Sequence, residues 1–297
     1  MNRIYAFIVV IMVLLSCENR YELVALDTFN VRLEKESYSV GDTVRFLIEG
    51  NPDNIVFWSG EDGHNYAYRK RTSIEGNTIQ LNFNSYSQYG QADPSTLKLL
   101  VSTDFSGIYD STAVAKATWT DITDKATISS GLDQTPSGTI NLDEFAAQNK
   151  NMAIAFRYKT SELRPQDKQN RWIIRSFDLK SVNQQGSENT LATMATAGWT
   201  AFNFSGTASF WSVTSAQLIT ARNFVELDDD WVITKQFNPN AVTPDQGQAI
   251  KNISQNITEY TSIYSKAGTY KVTFVATNAN VKDQDSAIKE IEIAITE

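Results

Sequence analysis

The chain has almost none of the residues that build disulfide-linked folds or thiol and imidazole sites. It contains one cysteine, Cys17, and one histidine, His64, among its 297 residues. A single cysteine cannot pair within the chain, so the fold must be held by hydrophobic cores, and the length suits one large or two ordinary domains. One histidine excludes a histidine-rich zinc site. Because His64 lies in a glycine-rich turn, we expect it to be an exposed loop residue.

Catalytic patterns are absent as well. The sequence holds neither a Gly-x-Ser-x-Gly elbow nor a Gly-x-x-x-x-Gly-Lys-Ser/Thr phosphate loop. A carboxylate pair for glycoside hydrolysis stays open, because the fold and not the sequence spacing sets the distance between two acids. The formal net charge of −8 argues against nucleic acid or an anionic membrane surface as a partner. We therefore expect a protein without enzymatic activity.

The first residues have the pattern of an export signal. Asn2 and Arg3 precede an apolar run over residues 6–15, and no second long apolar run follows. A membrane-spanning helix needs about 20 residues, so this run is too short to cross a bilayer. A positive start followed by a short apolar run is typical of a secretory signal peptide.

The end of that run specifies the type of signal. Residues 14–17 read Leu-Leu-Ser-Cys and resemble the lipobox of bacterial lipoproteins, whose cysteine becomes the lipid-bearing first residue. The resemblance implies a signal peptide over residues 1–16, lipidation of Cys17, and a tether over residues 17–27. It also implies a cell-envelope location, as an outer-membrane lipoprotein exposed at the surface and held by its lipid. The alternative is an ordinary secretory signal with an incidental thiol.

The remainder of the chain predicts an all-β protein. Fifteen Phe, twelve Tyr and six Trp accompany many Thr, Ser and Asn, and few helical patterns are present. Phe29, Val31 and Leu33 alternate with polar residues, which indicates a half-buried strand. Residues 43–48 alternate in the same way after a Gly-Asp turn.

The two ends of the chain carry matching halves of one sandwich. Residues 38–46 read Tyr-x-Val-Gly-Asp-x-Val-x-Phe, and residues 264–274 contain Gly-Thr-Tyr-x-Val-x-Phe. These segments resemble the first and the closing parts of a PKD-type immunoglobulin-like sandwich. Half a sandwich would leave one sheet face in water, so we infer a single discontinuous domain over residues 28–75 and 255–297.

The segment between these halves predicts a second β-domain. Residues 77–236 hold short strand patterns separated by Gly, Pro and Asn, and they resemble a jelly-roll module of the choice-of-anchor type. Residues 237–254 are expected to be a connector. Taken together, the mature chain resembles the domain-of-unknown-function family 5017 of Bacteroidota lipoproteins. This implies an all-β fold, an immunoglobulin/PKD-like sandwich with an inserted jelly-roll β-sandwich, but no activity.

Calcium is the one metal that the composition suggests. Asp104, Asp110, Asp121 and Asp124 lie in predicted loops, and Asp228–Asp230 is the densest acidic cluster. Carboxylates in irregular loops suit Ca²⁺, so a structural calcium site at Asp104, Asp110 and Asp121 is a hypothesis. The alternative is solvated surface acids with roles in turns, and no other cofactor is expected.

Aromatic side chains are the candidate ligand contacts. Sugar rings pack their C–H faces on Trp and Tyr, with polar neighbours that bind the hydroxyls. The candidates are the aromatic and amide residues near predicted turns: Trp199, Asn203, Trp211, Tyr86 and Tyr89. A core position is an equally open interpretation for them, because most large aromatics are buried. Four further tryptophans lie in apolar strand patterns and are expected in the core: Trp58, Trp119, Trp172 and Trp231.

These observations favour a lipid-anchored protein that binds a carbohydrate at the cell surface without catalysis. Its partners would be the membrane, through the lipid, and a polysaccharide or other surface proteins. The alternative function is a structural or adhesive module that binds protein and no glycan. An exposed aromatic platform would separate the two, since fold alone does not fix function.

Overall fold

The computed structural model describes residues 23–184, 186–205 and 211–297. The predicted lipidation site, Cys17, and the signal peptide before it lie outside the described residues. Within the described part, no helix is both long and apolar enough to cross a membrane. The chain there is built almost wholly of β-strands, with two short α-helices, and it divides into two units. The expected all-β sandwich class is confirmed.

The first unit joins the described residues up to Arg71 with Pro244–Glu297. Its smaller sheet has three strands in the order β1 (Asn30–Leu33), β3 (Thr43–Glu49), β18 (Glu259–Ile263). Its larger sheet has five strands in the order β17 (Gln248–Lys251), β4 (Asn54–Trp58), β19 (Gly268–Ala279), β20 (Gln284–Thr296), β2 (Tyr38–Ser39). Strand pairing is antiparallel except between β2 and β20. Both sheets therefore contain strands from the two ends of the chain.

One hydrophobic core lies between these two sheets. Along β3 the side chains alternate, so that Val44, Phe46 and Ile48 are buried while their neighbours are not. The ring of Phe46 lies 5.1 Å from that of Phe274 on β19 and 5.7 Å from that of Phe57 on β4. Period-two alternation places these apolar side chains on one face, and their burial holds the two sheets together.

The segment expected as a connector, residues 237–254, contains a strand. Gln248–Lys251 forms β17 and pairs with β4 through Gln248 opposite Phe57 and Ala249 opposite Val56. The boundary between the units falls between Thr243 and Pro244. The strand has only one clearly apolar side chain in its middle, Ile250, which explains why the sequence pattern does not indicate it.

The second unit spans Thr72–Thr243. One sheet has five strands in the order β13 (Thr200–Ser205), β16 (Asp229–Ile233), β10 (Ala153–Lys159), β6 (Leu97–Ser102), β7 (Thr120–Asp121). The other runs β14 (Ser212–Val213), β15 (Gln217–Ile219), β11 (Arg171–Val182), β5 (Thr78–Gln88), β8 (Thr135–Pro136), with β12 (Glu188–Thr193) on β11 and β9 (Ile140–Asn141) on β5. The helices are α1 (Ser111–Lys116) and α2 (Asp143–Ala146). Residues of both sheets share one core, in which the rings of Phe83 and Phe156 lie 5.1 Å apart.

The five-stranded sheet of the second unit is covered on both faces. Ala153 and Ala155 of β10 belong to a separate cluster on its outer face, together with Phe105, Val114 and Trp231. Asp110 caps the helix that covers this face, because its side chain accepts a hydrogen bond from the Ala113 N–H at 2.7 Å. The segment that carries α1 therefore folds over the outside of the sheet and creates the site described next.

Candidate functional site

A groove of about 740 Å³ lies on the outer face of the five-stranded sheet of the second unit. Alternation along the strands decides which side chains reach it. On β16, Val232 belongs to the core between the sheets, whereas Trp231 belongs to the outer cluster. On β10, Phe156 faces the core and Arg157 lines the groove. One wall is formed by Val114 and Ala115 of α1, together with Ala117 and Trp119, which follow the helix.

Three aromatic rings line this groove, which we call the aromatic groove. The ring of Trp231 lies 5.2 Å from that of Trp119 and 6.1 Å from that of Phe204. Trp231 is almost wholly buried, whereas Trp119 and Phe204 are partly exposed. The indole N–H of Trp119 donates to the Val114 carbonyl at 3.0 Å, which ties the ring to α1. Rings held in this way form a rigid apolar floor.

A bidentate ion pair stands beside the floor. Arg157 donates from Nε and Nη2 to the two carboxylate oxygens of Asp229 on the neighbouring strand, at 2.7 and 2.6 Å. Its guanidinium carbon lies 4.9 Å from the centre of the Trp231 ring, and the Trp231 indole N–H donates to Asp229 Oδ1 at 3.1 Å. The Lys159 ammonium lies 3.7 Å from Asp229 Oδ2. The orientation of Arg157 is therefore fixed by Asp229 and Trp231 together.

A second ion pair lies on the same face of the sheet, on the other side of β10 from Asp229. The ammonium of Lys98 on β6 is 3.2 Å from Asp121 Oδ2 on β7. Burial raises the pKa of Asp121, but hydrogen bonds from Thr123 and the charge of Lys98 outweigh it and hold the pKa below its ordinary value. Asp121 is therefore a charged hydrogen-bond acceptor at neutral pH.

Sequence reasoning missed the residues of the aromatic groove. Trp231 is buried in the outer cluster, as expected of a core residue, and Trp119 packs partly buried against it, but both rings also line the groove. Trp231 is buried at the same time, because the covering segment seals the other side of its ring. One signal was available: Arg157 interrupts an otherwise apolar strand, which indicates an outward-facing position beside the alanines of β10.

Comparison with known proteins gives a family but no activity. Residues 16–199 of the 297 match the family described as Domain of unknown function (DUF5017). The chain belongs to this family. The matched segment includes Trp119 and Arg157 and ends before β13 and β16. No curated protein and no solved structure matches the chain.

The predicted platform around Trp199 differs from what the structure contains. Trp211 is only 2% exposed, and its indole N–H donates to the Asp230 carbonyl at 3.2 Å. Trp199 is partly buried against the core, with its ring 4.9 Å from Phe177. Asn203 lies on β13 opposite Asp230. Trp199 and Trp211 thus pack on the core between the sheets rather than forming an outward platform. Each directly precedes a strand, β13 or β14, and its ring lies against Phe156 of the core.

The two predicted tyrosines have different environments. Tyr86 lies within β5, opposite Ile173, and is half-buried, because the strand continues to Gln88 instead of ending in a loop. Tyr89 follows the strand, is 56% exposed and has a positive φ of 61°. Only Tyr89 presents a ring to solvent as the sequence hypothesis requires.

The acids of the calcium hypothesis serve local structure. Asp104 accepts hydrogen bonds from the Ser102 hydroxyl and the Thr118 N–H, both at 2.8 Å. Asp110 caps α1. Asp121 accepts a hydrogen bond from the Thr123 hydroxyl and forms an ion pair with Lys98. Among the described residues, no group of three or more acids, histidines or cysteines is placed to hold a metal ion. The structure does not bring these three carboxylates together.

The acidic cluster at the start of β16 is buried rather than solvated. Asp228 accepts a hydrogen bond from the Gln169 amide at 3.4 Å, and burial raises its pKa to about 6. Burial, followed by the charges of Asp228 and Asp229, raises the pKa of Asp230 to about 8. Within the described part of the chain, Asp230 Oδ2 has no hydrogen-bond partner. Folding therefore holds Asp230 in its neutral form at pH 7.

Proposed function

We propose that this chain is a non-enzymatic carbohydrate-binding protein of the cell envelope, and that the aromatic groove is its binding site. The observation that carries the proposal is the placement of the Trp119, Trp231 and Phe204 rings beside two fixed ion pairs on one sheet face. A saccharide needs both kinds of contact, an apolar ring for its C–H face and oriented polar groups for its hydroxyls.

The polar groups are suited to bind hydroxyls. Side chains of Lys98, Asp121 and Lys159 are each about half exposed, so they can reach a ligand in the groove. Arg157 is less exposed and already oriented by Asp229. Side chains held before binding lose less conformational entropy when the ligand arrives, which supports affinity for a weakly apolar ligand.

The groove favours a polymer over a small molecule. It is open to solvent rather than enclosed, and strand residues such as Lys98, Arg157 and Trp231 line it. An open groove can take an internal stretch of a chain whose two ends continue into solvent. A small ligand would leave much of this surface wet and would bury little of its own area.

The carboxylates of the groove support binding rather than hydrolysis. A glycosidase needs one acid whose pKa is raised, so that it can donate a proton at neutral pH. The pKa of Asp121 is lowered instead, and Asp229 is occupied by Arg157 and Trp231. Asp121, the carboxylate that lines the groove, therefore lacks the raised pKa of a proton donor.

The envelope location rests on the segment that precedes the described residues. The lipobox-like residues 14–17 would place a lipid on Cys17, and residues 17–27 would form the tether, whose last part is held on the first unit by the buried Leu26. A tether of this length allows a binding protein to sample polymers near the membrane.

Affinity electrophoresis in native gels that contain single polysaccharides tests the proposal. The panel should include neutral glucans, mannans and xylans together with acidic polymers. We expect at least one polymer to retard the wild type, and we expect Phe204→Ala to weaken that retardation about tenfold, or about 1.4 kcal/mol. The matched control is Tyr68→Ala, which removes an exposed aromatic stacked on Arg71 in the other unit. Equal retardation of both variants, or no retardation of the wild type, would reject the proposal.

The second candidate is an adhesive module that binds protein. Exposed apolar side chains in the loops of the second unit favour it, with Leu132 74% and Val225 81% exposed. Apolar residues in loops contribute to protein contacts but offer no oriented polar groups for a sugar. A Leu132→Ser and Val225→Ser double variant that loses cell adhesion while keeping polysaccharide retardation would support this alternative.

A further inference from the structure

A second cluster of oriented groups lies where loops of the second unit meet, apart from the aromatic groove. Tyr89 follows β5, Arg171 begins β11, and Arg222 follows β15. The guanidinium carbons of Arg171 and Arg222 lie 5.0 and 4.9 Å from the centre of the Tyr89 ring. These three residues form what we call the loop-end cluster.

The backbone holds Tyr89 in an unfavourable conformation. Its φ of 61° lies in the left-handed region, which side chains other than glycine and asparagine rarely adopt. The next residue, Gly90, approaches the chain so closely that an added Cβ would lie 2.4 Å from the Lys168 carbonyl oxygen. Gln91 donates its N–H to the same carbonyl at 3.0 Å. The loop is therefore fixed, and it presents the tyrosine ring to solvent with the two guanidiniums beside it.

The two arginines carry positive charge that no carboxylate neutralises. Arg171 donates from Nε and Nη2 to the Gln88 amide oxygen, at 3.0 and 2.6 Å. Arg222 donates to the carbonyls of Gln169 and Gln166. Within the described residues, neither guanidinium forms an ion pair. Half-buried guanidiniums held by neutral acceptors keep their full charge in a fixed orientation, which is the form that binds an oxyanion.

A concavity of about 620 Å³ lies next to the ring. It is lined by Tyr89, Gly90, Leu132 and Arg164, among others. Arg164 donates to the Gln91 carbonyl at 3.2 Å and lies 4.0 Å from Asp93 Oδ2, and Asp93 itself caps a short turn through Ser95. Asp93 lines the same concavity, so Arg164 enters it together with its paired acid. The concavity leaves room beside the Tyr89 ring, and the unpaired positive charge comes from Arg171 and Arg222.

We propose that the loop-end cluster is a second binding site, specific for an acidic sugar residue of a polysaccharide. The exposed part of the Tyr89 ring would contact the C–H groups of the pyranose, and Arg171 and Arg222, which lie over the same ring, would bind its carboxylate or sulfate. The site is independent of the aromatic groove, because it uses other residues. It selects ligands by charge, whereas the groove selects them by ring stacking and hydroxyl contacts.

Matched pairs of polymers test this proposal. Affinity of the wild type is measured by electrophoresis and calorimetry for polygalacturonate against its methyl ester, and for dextran sulfate against dextran. We expect at least one charged polymer to bind tenfold or more tightly than its uncharged twin, with affinity that falls as salt rises. The pair that responds identifies the anion as carboxylate or as sulfate. Equal affinity for charged and uncharged polymers would overturn the proposal.

Variants assign the effect to the cluster. Tyr89→Gly should lower affinity for the charged polymer tenfold or more while its thermal midpoint stays equal or rises, since glycine adopts positive φ freely. Arg171→Gln should lower affinity by a similar factor. Arg175→Gln is the control, because Arg175 lies on the same strand and also donates to a glutamine side chain, but it lies opposite Asn84 on β5 and not at the Tyr89 ring.

Three outcomes would contradict the assignment. An equal loss in Arg175→Gln would mean non-specific attraction to charge. A lowered midpoint of Tyr89→Gly would mean that the ring belongs to the packing. If inorganic sulfate competes with the polymer and Tyr89→Gly binds the polymer as the wild type does, the site binds only a free anion.

Discussion

Arg157 binds both carboxylate oxygens of Asp229 across the β10–β16 strand pair, at 2.7 and 2.6 Å, and this contact joins the charge and the aromatic floor of the groove. Asp229 also accepts the indole N–H of Trp231. Asp229→Asn keeps the size but presents an amide N–H₂ to a guanidinium that needs an acceptor. We expect a loss of about 1–3 kcal/mol in the free energy of unfolding, measured by urea denaturation. The control is Glu144→Gln, which removes an exposed ion pair with Lys125 and should lower the free energy of unfolding by less than about 0.5 kcal/mol. An equal loss in both variants would mean that the Arg157–Asp229 pair stabilises the fold no more than an exposed ion pair does.

Gly247 is required by a close approach in the first unit. A Cβ added to it would lie 2.5 Å from Trp58 Cε2 and 2.5 Å from Val56 Cγ1. Gly247→Ala should therefore lower the free energy of unfolding by about 1–3 kcal/mol, because the crowded side chains cannot move away without repacking. Gly131→Ala is the control, since nothing lies within 4 Å of its added Cβ and its φ is not positive. Thermal denaturation of both variants checks the prediction, and an unchanged midpoint for Gly247→Ala would contradict it.

The alternation of apolar residues allowed the strands of the first unit to be predicted, whereas the surface of the second unit could not be. Val44, Phe46 and Ile48 face one core, so their period of two is visible in the sequence. Trp231 lies in β16, which is buried on one face by the core between the sheets and on the other by a covering segment that is distant in the chain. A strand covered on both sides has no period, so its outward positions cannot be distinguished from its inward ones.

The site residues illustrate the same limit. Tyr89 is a candidate because it lies near turn residues in the sequence, and the structure leaves it exposed. Trp211 is a candidate for the same reason, yet its ring is buried against the core. Proximity to a glycine does not determine which way a ring points; the register of the neighbouring strands does. Strand pairing and loop packing bring Arg171 and Arg222 next to Tyr89. These residues are far apart in the sequence, so no local sequence pattern predicts their contact.

Removal of the C-terminal hairpin should unfold the first unit alone. A chain that ends at Ser265 lacks β19 and β20, and β4 then loses its partner in the centre of the larger sheet. Loss of Phe274 and Ile293 also exposes the core that Phe46 closes. In limited proteolysis, we expect residues up to 71 to become sensitive while Thr72–Thr243 stays resistant, because that unit keeps all its sheets. A protease-resistant N-terminal segment in this variant would show that the hairpin is dispensable.

The proposed membrane anchor is a lipid attached to Cys17. Cys17→Ala removes the thioether that would carry the lipid, so the protein should move from the membrane pellet to the soluble fraction of the expressing cell. Cys17→Ser serves as a second test, since it keeps the size and polarity of the residue but cannot be lipidated. Metabolic labelling with a fatty acid provides the independent measurement. Continued membrane association of both variants would exclude a lipid on Cys17 as the anchor.

Asp230 should make the second unit less stable as the pH rises. Its pKa is raised to about 8 in the fold, first by burial and then by Asp228 and Asp229, whereas an unfolded aspartate has a pKa of about 3.9. Between these values the folded state holds a proton that the unfolded state has lost, so the free energy of unfolding must fall with increasing pH, by at most about 1.4 kcal/mol per pH unit. Asp228, with a pKa of about 6, contributes to the same trend only at lower pH.

The window between pH 6.5 and 8 therefore isolates Asp230. Urea denaturation across this window should show a falling free energy of unfolding for the wild type. Asp230→Asn removes the titrating carboxylate, so its free energy of unfolding should change little with pH in this window. At pH 8 the variant should be more stable than the wild type, which would carry an unpaired buried charge. The exposed acid Asp133 supplies the control, since Asp133→Asn should retain the wild-type slope. If Asp230→Asn keeps that slope as well, the buried carboxylate is not the group that titrates, and the pH dependence must arise elsewhere in the unit.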